Sequence, residues 1–212
     1  MKALVLSLIA LSAASAIGSQ ALANDLTVTV NDAAGKPVAY AVVTYMPAGG
    51  AVIPPALKSA PYVMAQKNIQ FQPFVLAVPE GATVAFPNQD KVNHHVYSFS
   101  PTQPFQLPLY GRGQTRTVTF VKAGTEALGC NIHDSMAAYI RVVATPFFAT
   151  TDAGGRAVLT NIPDGSGSLK VWQPLMETSD HETGRDLTVN RTTPPQTFSV
   201  KVRQMMTMTG SY

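Results

Sequence analysis

The amino-acid sequence predicts an all-β fold, and three observations support that prediction. Sixteen Pro and fifteen Gly are spread over the 212 residues, which favours short elements joined by turns. Apolar and polar residues alternate in several segments, such as residues 26–30, and this period of two is typical of half-buried strands. In the central part of the chain, turn signals recur about every 8–12 residues, which is the spacing of a β-sandwich.

The first 23 residues have the pattern of a signal peptide. Lys2 supplies a positive charge, residues 3–17 are mostly apolar, and Ala21-Leu22-Ala23 has the small-x-small form that signal peptidase cleaves. The apolar run is too short and too rich in Ala and Ser for a membrane span, and no later segment approaches one. We therefore expect an exported, periplasmic protein without a membrane span.

The charge of the chain argues against a nucleic-acid partner. Without Lys2 the sequence has 14 basic and 12 acidic residues, which gives a formal charge of +2. Charged residues make up only 13% of the sequence, and no run of basic residues is present. The hydrophobic fraction of 46% is sufficient for a buried core.

The two ends of the mature chain carry similar signals. A turn at residues 32–37 follows the strand at residues 26–30, and Asp152-Ala153-Gly154-Gly155 repeats the Asp-Ala-x-Gly pattern of that turn near the other end. Two strands alone cannot bury a core, so we expect residues 24–58 and 145–204 to form one accessory β-sandwich together. Residues 48–61 are rich in Gly, Pro and Ala and are expected to be a linker. Residues 205–212 are expected to be a flexible tail.

Residues 60–144 carry the densest strand pattern. Ile69 and Phe71 alternate with Gln70 and Gln72, which predicts a strand. Further strands are expected at residues 74–78, 84–86, 115–120, 125–130 and 137–143. A proline-rich excursion at residues 101–108 is expected to cover one sheet edge or the end of the sandwich that carries Cys130.

The only cysteine, Cys130, is followed at three-residue steps by His133 and Met136. A lone Cys in an exported protein cannot form an internal disulfide, so it needs burial, a partner or a metal. A thiolate, an imidazole and a thioether are the ligands that copper selects, and His94-His95 upstream can supply a second imidazole. A trigonal His₂Cys set with a weak axial Met is the ligand set of a blue-copper electron-transfer centre.

On these residues the chain resembles the cupredoxins. Cys130-x-x-His133-x-x-Met136 is similar to their short, amicyanin-like ligand loop, and Asn88, Asp90 and His94-His95-Val96 are similar to the segment that carries the first ligand. The resemblance covers about residues 62–144 and implies a Greek-key β-sandwich that binds one type 1 copper ion. Residues 94–100 and 128–134 also resemble plastocyanin-like proteins associated with methylamine utilisation. The two flanks resemble the carboxypeptidase-regulatory-like β-sandwich.

Two of the ligand assignments have alternatives. Successive strand residues point to opposite faces, so only one of His94 and His95 can enter the site, and the family motif favours His94. His95 stands where the family has an Asn that braces the ligand loop, and it either takes over that role or has no metal role. Met136 is expected as the axial ligand, with a core-filling Met as the alternative. The supporting hydrogen-bonding residues are expected to be His95, Asn88 and Asn131.

The resemblance also implies where a redox partner binds. In cupredoxins the His of the Cys loop reaches the surface within an apolar patch through which electrons leave. In this chain that residue is His133, and the apolar residues expected nearby are Ile132, Ala137 and either Leu107 or Leu109.

Taken together, the ligands predict a one-electron carrier and not an enzyme. The chain has four His, and with two of them assigned to copper, too few remain for a multinuclear oxygen-reducing cluster. No Ser-His-Asp or paired-carboxylate arrangement stands out. The methylamine-utilisation resemblance implies redox partner proteins near an amine-oxidising respiratory chain. The alternatives are a periplasmic protein that delivers copper and a metal-free structural β protein.

Overall fold

The computed structural model describes residues 23–203, and these residues confirm the all-β fold class. The predicted signal peptide, apart from Ala23, and the predicted tail at residues 205–212 lie outside the described residues. None of the described residues belongs to a helix with the length and hydropathy of a bilayer span.

The described chain forms strands of two to ten residues and one helix of four residues, α1. In chain order they are β1 (Ala23–Asp32), β2 (Val42–Pro47), α1 (Pro55–Lys58), β3 (Tyr62–Val63), β4 (Ala65–Gln66), β5 (Phe71–Gln72), β6 (Val75–Pro79), β7 (Ala82–Pro87), β8 (His94–Ser98), β9 (Phe105–Tyr110), β10 (Thr115–Phe120), β11 (Gly124–Cys130), β12 (Ala137–Val143), β13 (Phe147–Thr150), β14 (Arg156–Pro163), β15 (Gly165–Trp172), β16 (Glu182–Val189) and β17 (Gln196–Val200).

Strands from the two ends of the chain form one sandwich, which we call the accessory sandwich. Its sheets have the strand orders β14-β1-β17 and β13-β2-β15-β16. β1 lies between the antiparallel β14 and the parallel β17, and β2 lies between β13 and β15, which are both antiparallel to it. Buried apolar side chains of both sheets, including Val28, Tyr45 and Leu159, form its core. Each end of the chain therefore completes the sheets of the other.

The strands between them, β3 to β12, form the central sandwich. Its larger sheet has the order β6-β12-β11-β8-β9, and its second sheet has the order β10-β7-β3, with a small β4-β5 pair beside them. Val84 and Phe120 from the second sheet and Ile140 from the larger sheet belong to one buried cluster. β11 lies in the middle of the larger sheet, between β8 and β12, and its last residue is Cys130.

A third apolar cluster joins the two sandwiches. Val42 and Trp172 of the accessory sandwich pack there with Val75 and Val143 of the central sandwich. The guanidinium of Arg141, on β12, lies 5.2 Å from the centroid of the Trp172 ring and donates a hydrogen bond of 2.6 Å to the carboxylate of Glu182. The strand that follows the Cys130 loop is therefore anchored to the accessory sandwich.

The strand predicted around Ile69 is wrong at its first half. Asn68 and Ile69 adopt left-handed backbone conformations, with φ of 56° and 54°, and form a turn. Their N–H groups donate to the two carboxylate oxygens of Asp90, at 2.6 Å and 3.0 Å. A side-chain acceptor has replaced strand pairing here, and only Phe71 and Gln72 form a short strand, β5.

Two other segments have more structure than their composition indicates. The predicted linker at residues 48–61 contains α1, which has Pro55 at its first position, where the missing N–H costs nothing. The proline-rich excursion ends in β9, which pairs with β8 and forms an edge of the larger sheet. Pro108 is tolerated in this strand because an edge strand needs hydrogen bonds on one side only.

The core of the central sandwich contains one carboxyl group, that of Glu126 on β11. The side chain is fully buried, and its Oε2 accepts a hydrogen bond of 2.8 Å from the Ser98 hydroxyl. Its Oε1 has no partner among the described residues. Loss of solvation raises the pKa of Glu126, although the hydrogen bond from Ser98 acts in the opposite direction.

This raised pKa makes stability depend on pH. Above about pH 4.3, the ordinary Glu pKa, the unfolded chain ionises while the folded protein still holds the proton, so the free energy of unfolding falls as pH rises. We expect Glu126→Gln to flatten this dependence and to raise the free energy of unfolding at pH 7 by about 1–3 kcal/mol. Urea denaturation at pH 5 and pH 7 measures both effects. Asp186→Asn, which changes an exposed carboxylate on β16, is the control, and equal pH slopes for the two variants would contradict the prediction.

The split arrangement of the accessory sandwich also makes a prediction. Gly49 and Gly50 are exposed between β2 and α1, and a protease site placed there cuts the chain without breaking a strand. We expect the N-terminal fragment to stay bound after cleavage, because β1 and β2 pair with four C-terminal strands. Size-exclusion chromatography under native and denaturing conditions tests this, and native release of the fragment would show that the flanks form no common unit.

Candidate metal centre

Strand register brings His94 and Cys130 to the same place inside the central sandwich. β8 and β11 run antiparallel, and Cys130 pairs with Val96. Because side chains alternate across a strand, Val96 and His94 both point into the core, and Cys130 points there as well. His94 is 0% exposed and Cys130 is 3% exposed. The pairing therefore places an imidazole and a thiol side by side, away from solvent.

The third donor comes from the loop after β11. The Sγ atom of Cys130 lies 3.7 Å from Nδ1 of His94 and 3.7 Å from Nδ1 of His133. One ligand atom from each of these residues lies within 4.8 Å of the other two. The centroids of the two imidazole rings are 5.0 Å apart, and the ring planes make an angle of 58°. The described chain thus contains a His₂Cys group with its donor atoms facing one point.

Two backbone hydrogen bonds shape the loop that carries His133. The N–H of Asn131 donates to the carbonyl oxygen of His95 at 3.0 Å, which ties the start of the loop to β8. The N–H of Met136 donates to the carbonyl oxygen of His133 at 3.0 Å, which closes a tight turn. The turn returns the His133 ring to Cys130 and leaves that ring partly exposed, while Met136 is 2% exposed.

Met136 belongs to the same buried cluster as Cys130. Its backbone lies three residues beyond His133, at the start of the return into β12. The side chain is therefore placed on the core side of the loop, where a thioether can fill space or approach a metal bound by the other three residues.

Asp90 orients the buried imidazole of His94. Its Oδ2 lies 2.9 Å from His94 Nε2, and the same carboxylate accepts the N–H groups of Asn68 and Ile69. Burial alone would raise the pKa of Asp90, but the hydrogen bonds from His94 and from the two backbone groups outweigh it and lower that pKa. An ionised carboxylate only accepts hydrogen bonds, so Nε2 of His94 donates to Asp90, and Nδ1 is the ring nitrogen that faces Cys130.

Gly129 lies directly beneath the ring of Tyr97. A Cβ atom at this position would lie 2.6 Å from Cζ and 2.6 Å from the Oη of Tyr97, the residue paired with Gly129 across the strands. Tyr97 in turn lies against Phe99, with 4.8 Å between ring centroids. The Tyr97 ring therefore lies over the outer face of β11, at the residue next to Cys130.

The expected supporting residues occupy three different positions. Asn88 is buried; its side-chain amide donates to the carbonyl oxygens of Val92 and Tyr110, and its Oδ1 accepts the N–H of Asp90. His95 is half-buried on the face opposite to His94, and its backbone oxygen holds the loop. Asn131 supports the loop through the hydrogen bond from its backbone N–H to His95, and its side chain is exposed.

Two of these features were not predicted from the sequence. Asp90 lies four residues before His94, and an acidic residue at that spacing from a candidate ligand is a signal for a supporting hydrogen bond. The contact between Tyr97 and Gly129 left no local signal, because it depends on the pairing of two strands that are distant in the sequence.

The two sulfur-to-nitrogen distances match those around one metal ion. With bonds of about 2.0–2.1 Å to nitrogen and about 2.3 Å to sulfur, as in zinc sites, a trigonal arrangement places sulfur and nitrogen about 3.8 Å apart. The two observed separations of 3.7 Å agree with that value. Two imidazoles and one thiolate are donors for a soft or borderline transition metal, and a hard oxygen-seeking cation has no carboxylate free at this point.

Comparisons with known proteins return β-sandwich structures at low identity. No family model matches the chain, and no curated protein matches it. A mutant amicyanin in its reduced Cu(I) form shares 21% identity over 48% of this chain and 98% of its own, with a TM-score of 0.38. A purple cupredoxin from Nitrosopumilus maritimus shares 20% identity over 39% of this chain and 99% of its own, with a TM-score of 0.35.

A copper-containing nitrite reductase from Thermus scotoductus SA-01 is also similar in structure. It shares 27% identity over 55% of this chain, with a TM-score of 0.38, and the match spans 28% of the reductase chain. At these identities and TM-scores, the function of the chain has to be judged from its own side chains.

The Asp90 contact can be tested by mutation. We expect Asp90→Ala to weaken metal binding about 10- to 100-fold, because His94 loses the partner that fixes its orientation. Competition with a chromophoric Cu(I) chelator measures the affinity. Asp134→Ala is the matched control, since Asp134 is an exposed carboxylate in the ligand loop. Equal affinities for the two variants would show that the Asp90 contact does not orient a ligand.

Proposed function

We propose that this protein is a mononuclear blue-copper (type 1) protein that carries single electrons in the periplasm. The observation that supports the proposal best is the convergence of His94, Cys130 and His133, with sulfur-to-nitrogen separations of 3.7 Å. A trigonal His₂Cys group with a buried Met beside it is the ligand set that such centres use.

Each ligand has a definite role in this proposal. Cys130 would supply a thiolate to the copper ion, His94 and His133 would supply imidazole nitrogens, and Met136 would supply a thioether. Bound copper supplies a one-electron Cu(II)/Cu(I) couple at this point. The thioether of Met136 and hydrogen bonds near the Cys130 sulfur would set the potential of that couple.

Contacts within the fold hold these donors in place. His94 is fixed by β8 and by Asp90, and Cys130 is fixed by its place in the middle of the larger sheet. The loop to Met136 is short and is closed by two backbone hydrogen bonds. A donor set that is held in this way changes little between two oxidation states of a bound ion, and this suits rapid electron transfer.

The route to the surface runs through His133, the partly exposed member of the group. Ile132 and Leu109 are 49% and 52% exposed, while Leu107 is 7% exposed, so of the two expected leucines it is Leu109 that lies at the surface. Val92, two residues before His94, is 40% exposed. This small apolar surface suits weak and short-lived complexes with redox partner proteins.

The biological setting follows from the sequence signals. The signal-peptide pattern supports the periplasm, where copper proteins meet their partners. The similarity of residues 94–100 and 128–134 to methylamine-utilisation proteins supports a role in amine oxidation. With four His in the chain and two of them at this centre, we propose a carrier and not an enzyme.

The absorption spectrum of the copper-loaded protein tests this function. We expect an intense thiolate-to-copper band at about 600 nm that disappears in Cys130→Ser. Ser135→Ala, which changes an exposed residue of the same loop, is the control and keeps the band. Cyclic voltammetry is expected to show a reversible one-electron wave. A colourless copper-loaded protein, or rapid loss of Cu(I) to a weak chelator, would contradict the carrier function.

A further inference from the structure

We propose that the end of the central sandwich that carries the metal centre binds a redox partner with an acidic surface. Four cationic residues, Lys67, Lys91, Arg112 and Arg116, form what we call the basic rim around the exposed part of that end. The inference rests on the proposed electron-carrier function and adds to it the chemistry of the partner.

Hydrogen bonds place the rim residues at the metal centre. The turn that contains Lys67 is held by the Asp90 carboxylate, which also contacts His94. Lys91 follows Asp90 directly in the chain. The turn that contains Arg112 is joined to Asn88 by two backbone hydrogen bonds, of 2.8 Å and 2.9 Å. All three segments therefore belong to the same end of the sandwich as His94.

Arg116 lies next to this turn, on β10. Its guanidinium is 5.6 Å from the centroid of the Tyr110 ring, and Tyr110 is the residue that pairs with His94 across β8 and β9. All four rim residues are exposed. The same end of the sandwich also carries two exposed apolar residues: Ile132, which precedes His133 in the loop, and Leu109, which precedes Tyr110 on β9.

The rim charges are not neutralised within the described chain. None of the four forms an ion pair with another residue between 23 and 203, whereas Arg141, Lys170 and Lys201 each pair with a glutamate. The acidic groups at this end are Asp90, which is occupied by His94 and two backbone N–H groups, and the exposed Asp134. This end of the sandwich thus carries four exposed cations and one exposed carboxylate.

The rest of the molecule does not share this excess. Residues 24–58 and 145–203 together contain eight basic and eight acidic residues, and residues 60–144 contain six basic and four acidic residues. The formal charge of +2 therefore belongs to the central sandwich. Four of the six cations there form the rim, so the protein has a positive end and a balanced remainder.

Such a separation of charge steers a partner of opposite sign. Fields of this kind raise association rates by about 10- to 1,000-fold and orient the partner during the encounter. The Debye length at physiological ionic strength is about 8 Å, so the rim acts on groups close to the metal end and hardly at the far end of the protein. A partner with carboxylates around an apolar contact complements both parts of this surface.

Small redox complexes can test the rim. The Cu(I) protein gives one electron to hexacyanoferrate(III), which is anionic, or to tris(1,10-phenanthroline)cobalt(III), which is cationic, and stopped-flow absorbance measures both rates. The rim variant carries Lys67→Gln, Lys91→Gln and Arg112→Gln. The control variant carries Lys36→Gln, Lys122→Gln and Arg191→Gln, which are exposed cations outside the rim. Both variants lose three positive charges, so only the location of the change differs.

At low ionic strength we expect the rim variant to react at least about threefold more slowly with hexacyanoferrate(III) than the control variant does, and more rapidly with the cobalt complex. The difference should disappear at high salt. Equal rates for the two variants would overturn the proposal that the basic rim steers an acidic partner. Absence of a copper band at about 600 nm in the unmutated protein would overturn the carrier function instead. Rim-dependent sedimentation with phosphatidylglycerol vesicles would overturn the assignment to a protein partner and favour a membrane surface.

Discussion

The register between β8 and β11 is the constraint on which the group of His94, Cys130 and His133 depends. With Cys130 opposite Val96, the thiol and the His94 imidazole both point into the core of the central sandwich. A shift of one residue would turn Cys130 to the outer face of the sheet, because side chains alternate along a strand. The packing of Tyr97 on Gly129 favours this register, since a side chain at position 129 would displace the Tyr97 ring. The packing of the core and the approach of Cys130 to His94 therefore require the same register between β8 and β11.

Asp90 extends this order from the strands to the loops. Its carboxylate holds the turn at residues 67–70 and orients His94. Its backbone N–H donates to the Asn88 side chain, and the Asn88 amide donates to the carbonyl oxygens of Val92 and Tyr110. The loops around the centre are thereby linked through polar contacts while the donors stay buried. His133 is the exception, and its partial exposure joins an enclosed centre to a surface that a partner can reach. The buried residues His94 and Cys130 enclose the group, and the partly exposed His133 gives access to it.

The accessory sandwich contributes mainly through β12. This strand begins directly after the ligand loop, and its Tyr139 and Arg141 lie against Trp172 of the accessory sandwich. Together with the apolar cluster around Val42 and Val143, these contacts hold the strand at its outer face, while β6 and β11 hold it within the sheet. The accessory sandwich also carries balanced charge, so it leaves the positive field of the molecule concentrated at the metal end.

The sequence alone determined the features that are local along the chain. The alternation of apolar residues predicted an all-β protein, and the steps from Cys130 to His133 and Met136 identified the donor loop, because a short loop keeps its residues together whatever else the fold does. The choice of His94 over His95 was also predicted, from strand alternation and the motif. Tertiary structure decided what depends on distant pairing: that Asp90 supports the His94 imidazole, that residues 67–70 turn, and that Lys67, Lys91, Arg112 and Arg116 belong to one end of the sandwich. Strand register and side-chain contacts across the sandwich have no local periodicity, so they could be found only once the sheets were assembled.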